Sequence, residues 1–405
     1  MLTQLAWKNI WRNKKRSLVI VLAITLGLWG GLFSGAIMMG MAESMVESAI
    51  DRYLGHIEIH SKKFKDDIQI TNYIKDVKTV ENAINEQDSI AGYSKRTILE
   101  GMAASASSSF GVKIIGIDRV AEKSVSRLYQ KVIDGDYFDT QKRNQVVIGK
   151  KLADRLNLKL RSKIILTFQD IHGEIIYLAC RITGIFKTES SIFDETNIFL
   201  RQVDLMRALH QTETLVHEVA IRVKSAKYVP VVEQNLAKAL PGLAVDTWEK
   251  MAPELAFVSS SMEAFTYLFV AIILFALLFG ITNNMLMSVV ERIRELGILT
   301  AVGMKKMRVF FMILLETIFL SMTGGVLGMT VGGFFIGFFN DAGIDLSAFA
   351  TGLESFGSAT MLYPFLPASM YIGLTIMILF AANIAALLPA WKATHLTPAE
   401  AIRTY

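Results

Sequence analysis

This chain of 405 residues has a single cysteine, Cys180, and only 7 prolines. One thiol excludes a disulfide framework and a cysteine-rich zinc site, and with no cysteine before 180 a lipoprotein signal is excluded too. Charge is also sparse: 20% of residues are charged against 52% apolar, which excludes disorder, collagen and coiled coil. The charge that is present is unevenly spread. Residues 1–17 carry +5, residues 42–264 sum to zero, 291–308 carry +3 and 309–405 carry −3. The large middle segment has no basic stripe, which argues against nucleic-acid binding. Motifs of hydrolytic chemistry are missing as well. The Gly149-Lys150 pair is followed by Lys151 and has Asn144 where a phosphate loop needs its opening glycine, and there is neither a Gly-x-Ser-x-Gly elbow nor a His-Glu-x-x-His helix.

What the chain has in abundance is apolar length. Four runs, 18–41, 265–290, 309–339 and 369–391, reach the roughly 20 helical residues needed to cross about 30 Å of hydrocarbon. The first follows the basic cluster Lys8, Arg12, Lys14, Lys15 and Arg16, and is too long for the apolar part of a signal peptide, so it reads as a signal anchor. Lys and Arg next to the spans set orientation. Residues 1–17, 291–308 and 392–405 are basic or carry Lys392 and Arg403, whereas 340–368 has only Asp341, Asp345 and Glu354. Both termini and the 291–308 loop are therefore expected in the cytoplasm, with 42–264 and 340–368 on the other side. Residues 2–15 should form an amphipathic surface helix, with Leu2, Leu5, Ala6, Ile10, Trp7 and Trp11 opposite Lys8, Arg12 and Lys15. Thr397-Pro398-Ala399-Glu400 is a capping box opening a short helix.

The 42–264 segment alternates strand-like and helix-like stretches and predicts a folded α+β domain. Expected strands are 56–60, 97–100, 112–117, 145–149, 163–168, 174–186 with an interruption, 197–200, 217–223 and 243–247. Expected helices are 43–53, 72–85, 150–156, 203–210 and 226–240. Asp170-Ile171-His172-Gly173 predicts a hairpin turn. His56 and His60, with Glu58 between them, would share one strand face; a metal site is one reading, and a solvated face is the ordinary one.

Within the spans, Gly27, Gly31 and Gly35 recur every four residues, as do Gly324, Gly328 and Gly332, a spacing that lets helix backbones approach closely inside one subunit or between two. Glu316 is the one carboxylate inside a span; two turns from Arg308, it is expected to have a structural partner near the cytoplasmic face rather than to serve as a proton site. Between spans, Glu291-Arg292-Ile293-Arg294-Glu295-Leu296-Gly297-Ile298-Leu299-Thr300-Ala301-Val302-Gly303 predicts a short amphipathic helix. Its ridge of Ile293, Leu296 and Thr300 suits docking into a groove of a cytoplasmic partner.

These residues resemble the permease subunits of FtsX-like and MacB-like ABC transporters, the group that includes the lipoprotein-releasing permeases. The resemblance rests on Trp11-Arg12-Asn13-Lys14-Lys15-Arg16-Ser17, on Glu291 through Gly303, and on Leu388-Pro389-Ala390-Trp391-Lys392-Ala393 with Pro398-Ala399-Glu400-Ala401-Ile402-Arg403. In the middle segment it rests on Val147-Ile148-Gly149-Lys150-Lys151-Leu152-Ala153, Gly184-Ile185-Phe186 and Phe193-Asp194. It implies four spans with an α+β domain inserted after the first, and a non-catalytic subunit working as a homo- or heterodimer on a cytoplasmic ATPase dimer that binds ATP and Mg. It also implies that the 291–308 segment is the coupling helix and that ATP-driven lever motion acts on a lipoprotein or other amphiphile on the outer side of a bacterial inner membrane. Envelope signalling to a cell-wall hydrolase and efflux of a peptide or drug are the alternatives. The 405 residues carry no phosphate-loop motif, so the ATPase is expected on a separate subunit, unlike in the macrolide exporters. The 170–173 turn is shorter than the hook by which one lipoprotein-release subunit engages its periplasmic carrier.

Overall fold

The computed structural model describes residues 2–12, 14–65, 67–138 and 142–394, so the capping box at Thr397–Glu400 lies outside the described residues. Two units emerge.

The first unit spans residues 1–42, 259–345 and 361–405, and its described residues are mostly helical. Four helices are long and apolar enough to cross a membrane: Lys14–Leu54, whose last turn is a π-turn over Ile50–Leu54, Pro253–Glu291, Lys306–Ala342 and Ala368–Thr394. They are longer than the apolar runs because flanking polar residues such as Glu43, Glu47 and Glu254 continue the same helices. Leu28, Leu32, Val270, Leu374 and Ile378 pack one layer of the core, and Ile24, Ile281, Met285 and Ile313 another. Leu22, Phe275, Phe279, Phe334, Phe338 and Phe380 are exposed instead, the inverse of a water-soluble surface and what a hydrocarbon solvent favours. Inside the fourth helix, Pro389 has no N–H for the carbonyl of Ala385. The Thr282 hydroxyl donates to that carbonyl at 3.1 Å, so the freed acceptor is satisfied from the second helix.

The expected N-terminal helix forms over Leu2–Arg12, with Ala6 and Ile10 buried against the spans. Trp7 is half exposed and meets Phe319 of the third span edge-on at 5.6 Å.

The second unit, residues 43–258 and 346–360, is α+β. Ten strands make one sheet in the order 243–247, 57–61, 218–223, 90–104, 109–117, 197–201, 145–149, 175–186, 132–135, with 163–169 joined to both 90–104 and 175–186. Strand Ile90–Ala104 pairs with 218–223 through its first half and with 163–169 through its second, while its other edge runs antiparallel to 109–117. Gly101 stands where that second pairing begins, and a Cβ there would lie 2.5 Å from the carbonyl of Thr167. The interruption expected within 174–186 is a bulge at Thr183: the strand is continuous, but Val146 faces Ile182 and Val147 faces Gly184. The 170–173 turn forms, with Asp170 Oδ1 accepting from the N–H groups of His172 and Glu174 and Gly173 at φ +83°. The 350–356 helix of the loop between the last two spans belongs to this unit, tied by Lys187 to Glu354 at 2.9 Å.

The interior of this unit holds charge. Arg96, wholly buried, donates to Glu122 at 2.6 and 3.0 Å, to Glu218 at 2.6 Å and to the carbonyl of Tyr53 at 2.8 Å, with its guanidinium 4.0 Å above the Tyr53 ring. Desolvation holds the Glu58 carboxyl well above its usual range, and it hydrogen-bonds Glu218. Glu218, accepting from Glu58 and facing Arg96, is held down at about 2 despite its burial. The 56–60 face is therefore not solvated, contrary to expectation: Glu58 and His60 are buried, the one against Glu218 and the other against the ring of Phe64. His60 bonds Asp246 at 3.0 Å and the Ser61 carbonyl at 2.8 Å, and no group of three metal-ligating side chains occurs among the described residues.

Candidate coupling site

The second long helix stops at Glu291 because Arg292 leaves the helical region at φ −105°, ψ 9°. A new helix runs over Ile293–Ala301. It ends in a Schellman cap: Gly303 N–H bonds the carbonyl of Thr300 and Met304 N–H that of Leu299. Gly303 takes φ +101° there, so its role is backbone freedom; a Cβ on it would meet nothing within 4 Å.

The ridge expected to dock outward faces inward. Leu296 is only 4% exposed and packs with Ile10, Val289, Val309 and Met312. Gly297 is buried beside it, Ile293 is partly covered, and the Thr300 hydroxyl bonds back to the carbonyls of Leu296 and Gly297. The reason is length: a nine-residue helix between two spans must cover the ends of its own bundle, and its most apolar side does so. The outward face consists of Arg294, Ile298, Ala301, Val302 and Gly303, with Ile298 49% and Val302 84% exposed.

Three ion pairs fasten this helix and the two residues that lead into it. Glu295 pairs with Arg12 and Glu291 with Arg16, both from the N-terminal part of the chain. The hydrogen bond from Arg12 holds the Glu295 carboxyl below its usual range. Arg292 Nη1 reaches both oxygens of Glu316, at 3.0 and 3.2 Å. The partner of Glu316 is thus Arg292, while Arg308 is exposed. The exposed Arg12–Glu295 pair contributes about 0–1 kcal/mol, whereas removing one partner of a buried pair such as Arg292–Glu316 costs about 3–5 kcal/mol. Sequence spacing could not show these contacts, because partners such as Arg12 and Glu295 lie 283 residues apart.

Both glycine rows meet helices of the same chain. Cβ atoms at Gly324, Gly328 and Gly332 would lie 2.9, 2.9 and 3.1 Å from Ile24, Leu28 and Leu32, so the third span seats a regular ridge of the first. Gly27 faces Leu277, Gly31 faces Val270 and Ile378, and Gly35 faces Thr266 and Leu374. The first span is therefore approached closely from both sides.

Comparison with known proteins gives two family matches: the MacB-like periplasmic core domain over residues 17–239, and the FtsX-like permease C-terminal domain over residues 267–398. An uncharacterized ABC transporter permease of Methanocaldococcus jannaschii is 25% identical over 229 residues, 55% of this chain and 54% of that protein. The uncharacterized ABC transporter permease YvrN of Bacillus subtilis is 24% identical over 305 residues, covering 67% of this chain and 69% of its own. The chain thus spans about half the length of the first relative and about two thirds of the second. Among solved structures, the extracellular domain of the ABC-type transporter YknZ from Gram-positive bacteria is similar at 14% identity, covering 47% of this chain and 99% of that one with a TM-score of 0.35.

Proposed function

Because this chain belongs to the FtsX-like ABC transporter permeases with a MacB-like periplasmic core, a family of multi-pass membrane proteins, we propose that it is the subunit that carries ATP-driven motion from a separate cytoplasmic ATPase pair to its periplasmic domain. One observation carries the reading. The 293–301 helix is clamped to its own bundle on one side and leaves Ile298 and Val302 uncovered on the other. A clamped helix transmits a push to the helices it is tied to, while exposed apolar side chains on a basic segment offer anchors to a partner. Here the coupling residues are Arg294, Ile298 and Val302 on the contact face, with Glu291, Arg292, Glu295, Leu296, Gly297 and Gly303 holding the helix in place.

The rest of the reading follows the same line. The termini and 291–308 lie in the cytoplasm of a bacterium, on the argument from Lys and Arg beside the spans. ATP and Mg are held by the ATPase, and this chain does no bond chemistry. A second permease subunit completes a dimer. The cargo is a lipoprotein or other amphiphile taken from the outer leaflet, a reading supported by spans that meet one another mainly through apolar and glycine surfaces.

The test is copurification of the tagged full chain with its ATPase after coexpression. Ile298→Glu with Val302→Glu is expected to lose the ATPase while retaining the wild-type unfolding temperature. Wild-type yield of ATPase with that double variant would remove the support for the contact face.

A further inference from the structure

Within the α+β unit, a cleft of about 470 Å³ is walled by Met45, Leu54, Ile192 and Leu255, with Arg52 as the sole basic residue lining it. That volume falls within the roughly 300–1,000 Å³ of small-molecule sites. Its walls come from stretches that run directly into the first and second long helices, Met45–Leu54 and Met251–Leu255. Arg52 stands in the π-turn Ile50–Leu54, a distortion that recurs at functional sites in helices.

The guanidinium is not paid off by its surroundings. Its Nη1 is buried and has no hydrogen-bond partner. The two nearest carboxylates, Glu189 and Asp194, are committed elsewhere: Glu189 to Lys131, and Asp194 to the N–H and hydroxyl of Thr188. Phe193 lies under the guanidinium at 5.2 Å and offers only a ring face. Glu254 stands at the exposed rim, where water screens it. An arginine keeps its charge in proteins, so a buried, unpaired N–H donor is costly until an anion accepts from it.

We propose that this cleft binds an anionic amphiphile, its phosphate on Arg52 Nη1 and its acyl chain along Met45, Leu54, Ile192 and Leu255. This deepens the cargo class of the proposed function and rests on that reading. Ile192, 68% exposed, extends the apolar wall to the rim, as an entering chain requires.

Photolabelling of the full chain alone tests it, so the outcome does not depend on an ATPase contact. The probes are phosphatidylglycerol and phosphatidylcholine, each with a diazirine in the acyl chain, and the labelled peptides are identified by mass spectrometry. Peptides containing Ile192 or Leu255 should be labelled about tenfold more by the anionic probe, a difference of about 1.4 kcal/mol. Arg52→Gln should bring the ratio close to one, and Ile192→Glu, a rim change that leaves the fold intact, should cut labelling by both probes. Millimolar inorganic phosphate should not displace the anionic probe. Equal labelling of wild type by the two probes, an unchanged ratio in a folded Arg52→Gln, undiminished labelling of Ile192→Glu, or full displacement by phosphate would each overturn the proposal.

Discussion

Arg292 Nη1 bridges both carboxylate oxygens of Glu316, joining the start of the short 293–301 helix to the first third of the third span. The pair is buried, so its energetic signature is asymmetric: removing one charge strands the other, while replacing both need not destabilise. Glu316→Leu and Arg292→Met are each expected to lower unfolding stability by about 3–5 kcal/mol, and the double variant Arg292→Met, Glu316→Leu to recover most of the loss. Chemical denaturation of the solubilised protein reads this cycle. Additive losses would show that the two side chains do not act as a pair.

The glycine ridge contact makes a steric prediction. Gly328→Leu drives a side chain into Leu28, whose Cβ would be 2.9 Å from the new Cβ, whereas Gly30 and Gly337 have nothing within 4 Å. Gly328→Leu should cost about 1–3 kcal/mol, as overpacking does, and Gly30→Leu or Gly337→Leu much less. Equal unfolding temperatures for all three would mean that the first and third spans do not touch along this row.

The Glu58–Glu218 pair makes a pH prediction. Unfolded, both carboxyls titrate near about 4.3. Folded, Glu218 is held down at about 2 and Glu58 well above its usual range. Between those values the folded chain keeps one proton on the pair. Stability therefore rises with pH from about 2 to about 4.3, where the unfolded chain binds more protons, and falls above that as the folded chain keeps a proton the unfolded one has released. The falling limb can reach about 1.4 kcal/mol per pH unit. Glu58→Gln, which mimics the protonated partner, should flatten that limb above about pH 4.3. Hydrogen exchange of strands 57–61 and 218–223 checks it, and an unchanged pH slope in the variant would show that the pair shares no proton.

How much of this was legible in the sequence depended on the range of the interactions. The spans were readable because twenty apolar residues in a row carry their own signal, and strands 145–149 and 243–247 because apolar runs ended at glycine or at turn residues. The strand at 132–135 and the helices at 119–125 and 191–196 were not, being too short for periodicity. In hindsight the helices had cap signals: Asp118 accepts from the N–H groups of Val120 and Ala121, and Ser190 from that of Phe193. At the coupling site, the ridge of Ile293, Leu296 and Thr300 was visible, but not which side it faced. Amphipathicity states that a helix has a face to bury; the surrounding bundle decides against what.

The central claim, that the exposed face of the 293–301 helix is where ATPase motion enters, is tested most directly by ATPase activity of the reconstituted permease–ATPase complex in a bilayer. Leu296→Glu should unfold the membrane unit, since it buries a carboxylate among Ile10, Val289, Val309 and Met312. Ile298→Glu with Val302→Glu should leave the permease folded and reduce its effect on ATPase activity at least about tenfold, the loss of about 1.4 kcal/mol expected from one good interface anchor. Wild-type ATPase stimulation by a folded Ile298→Glu, Val302→Glu permease would contradict the account.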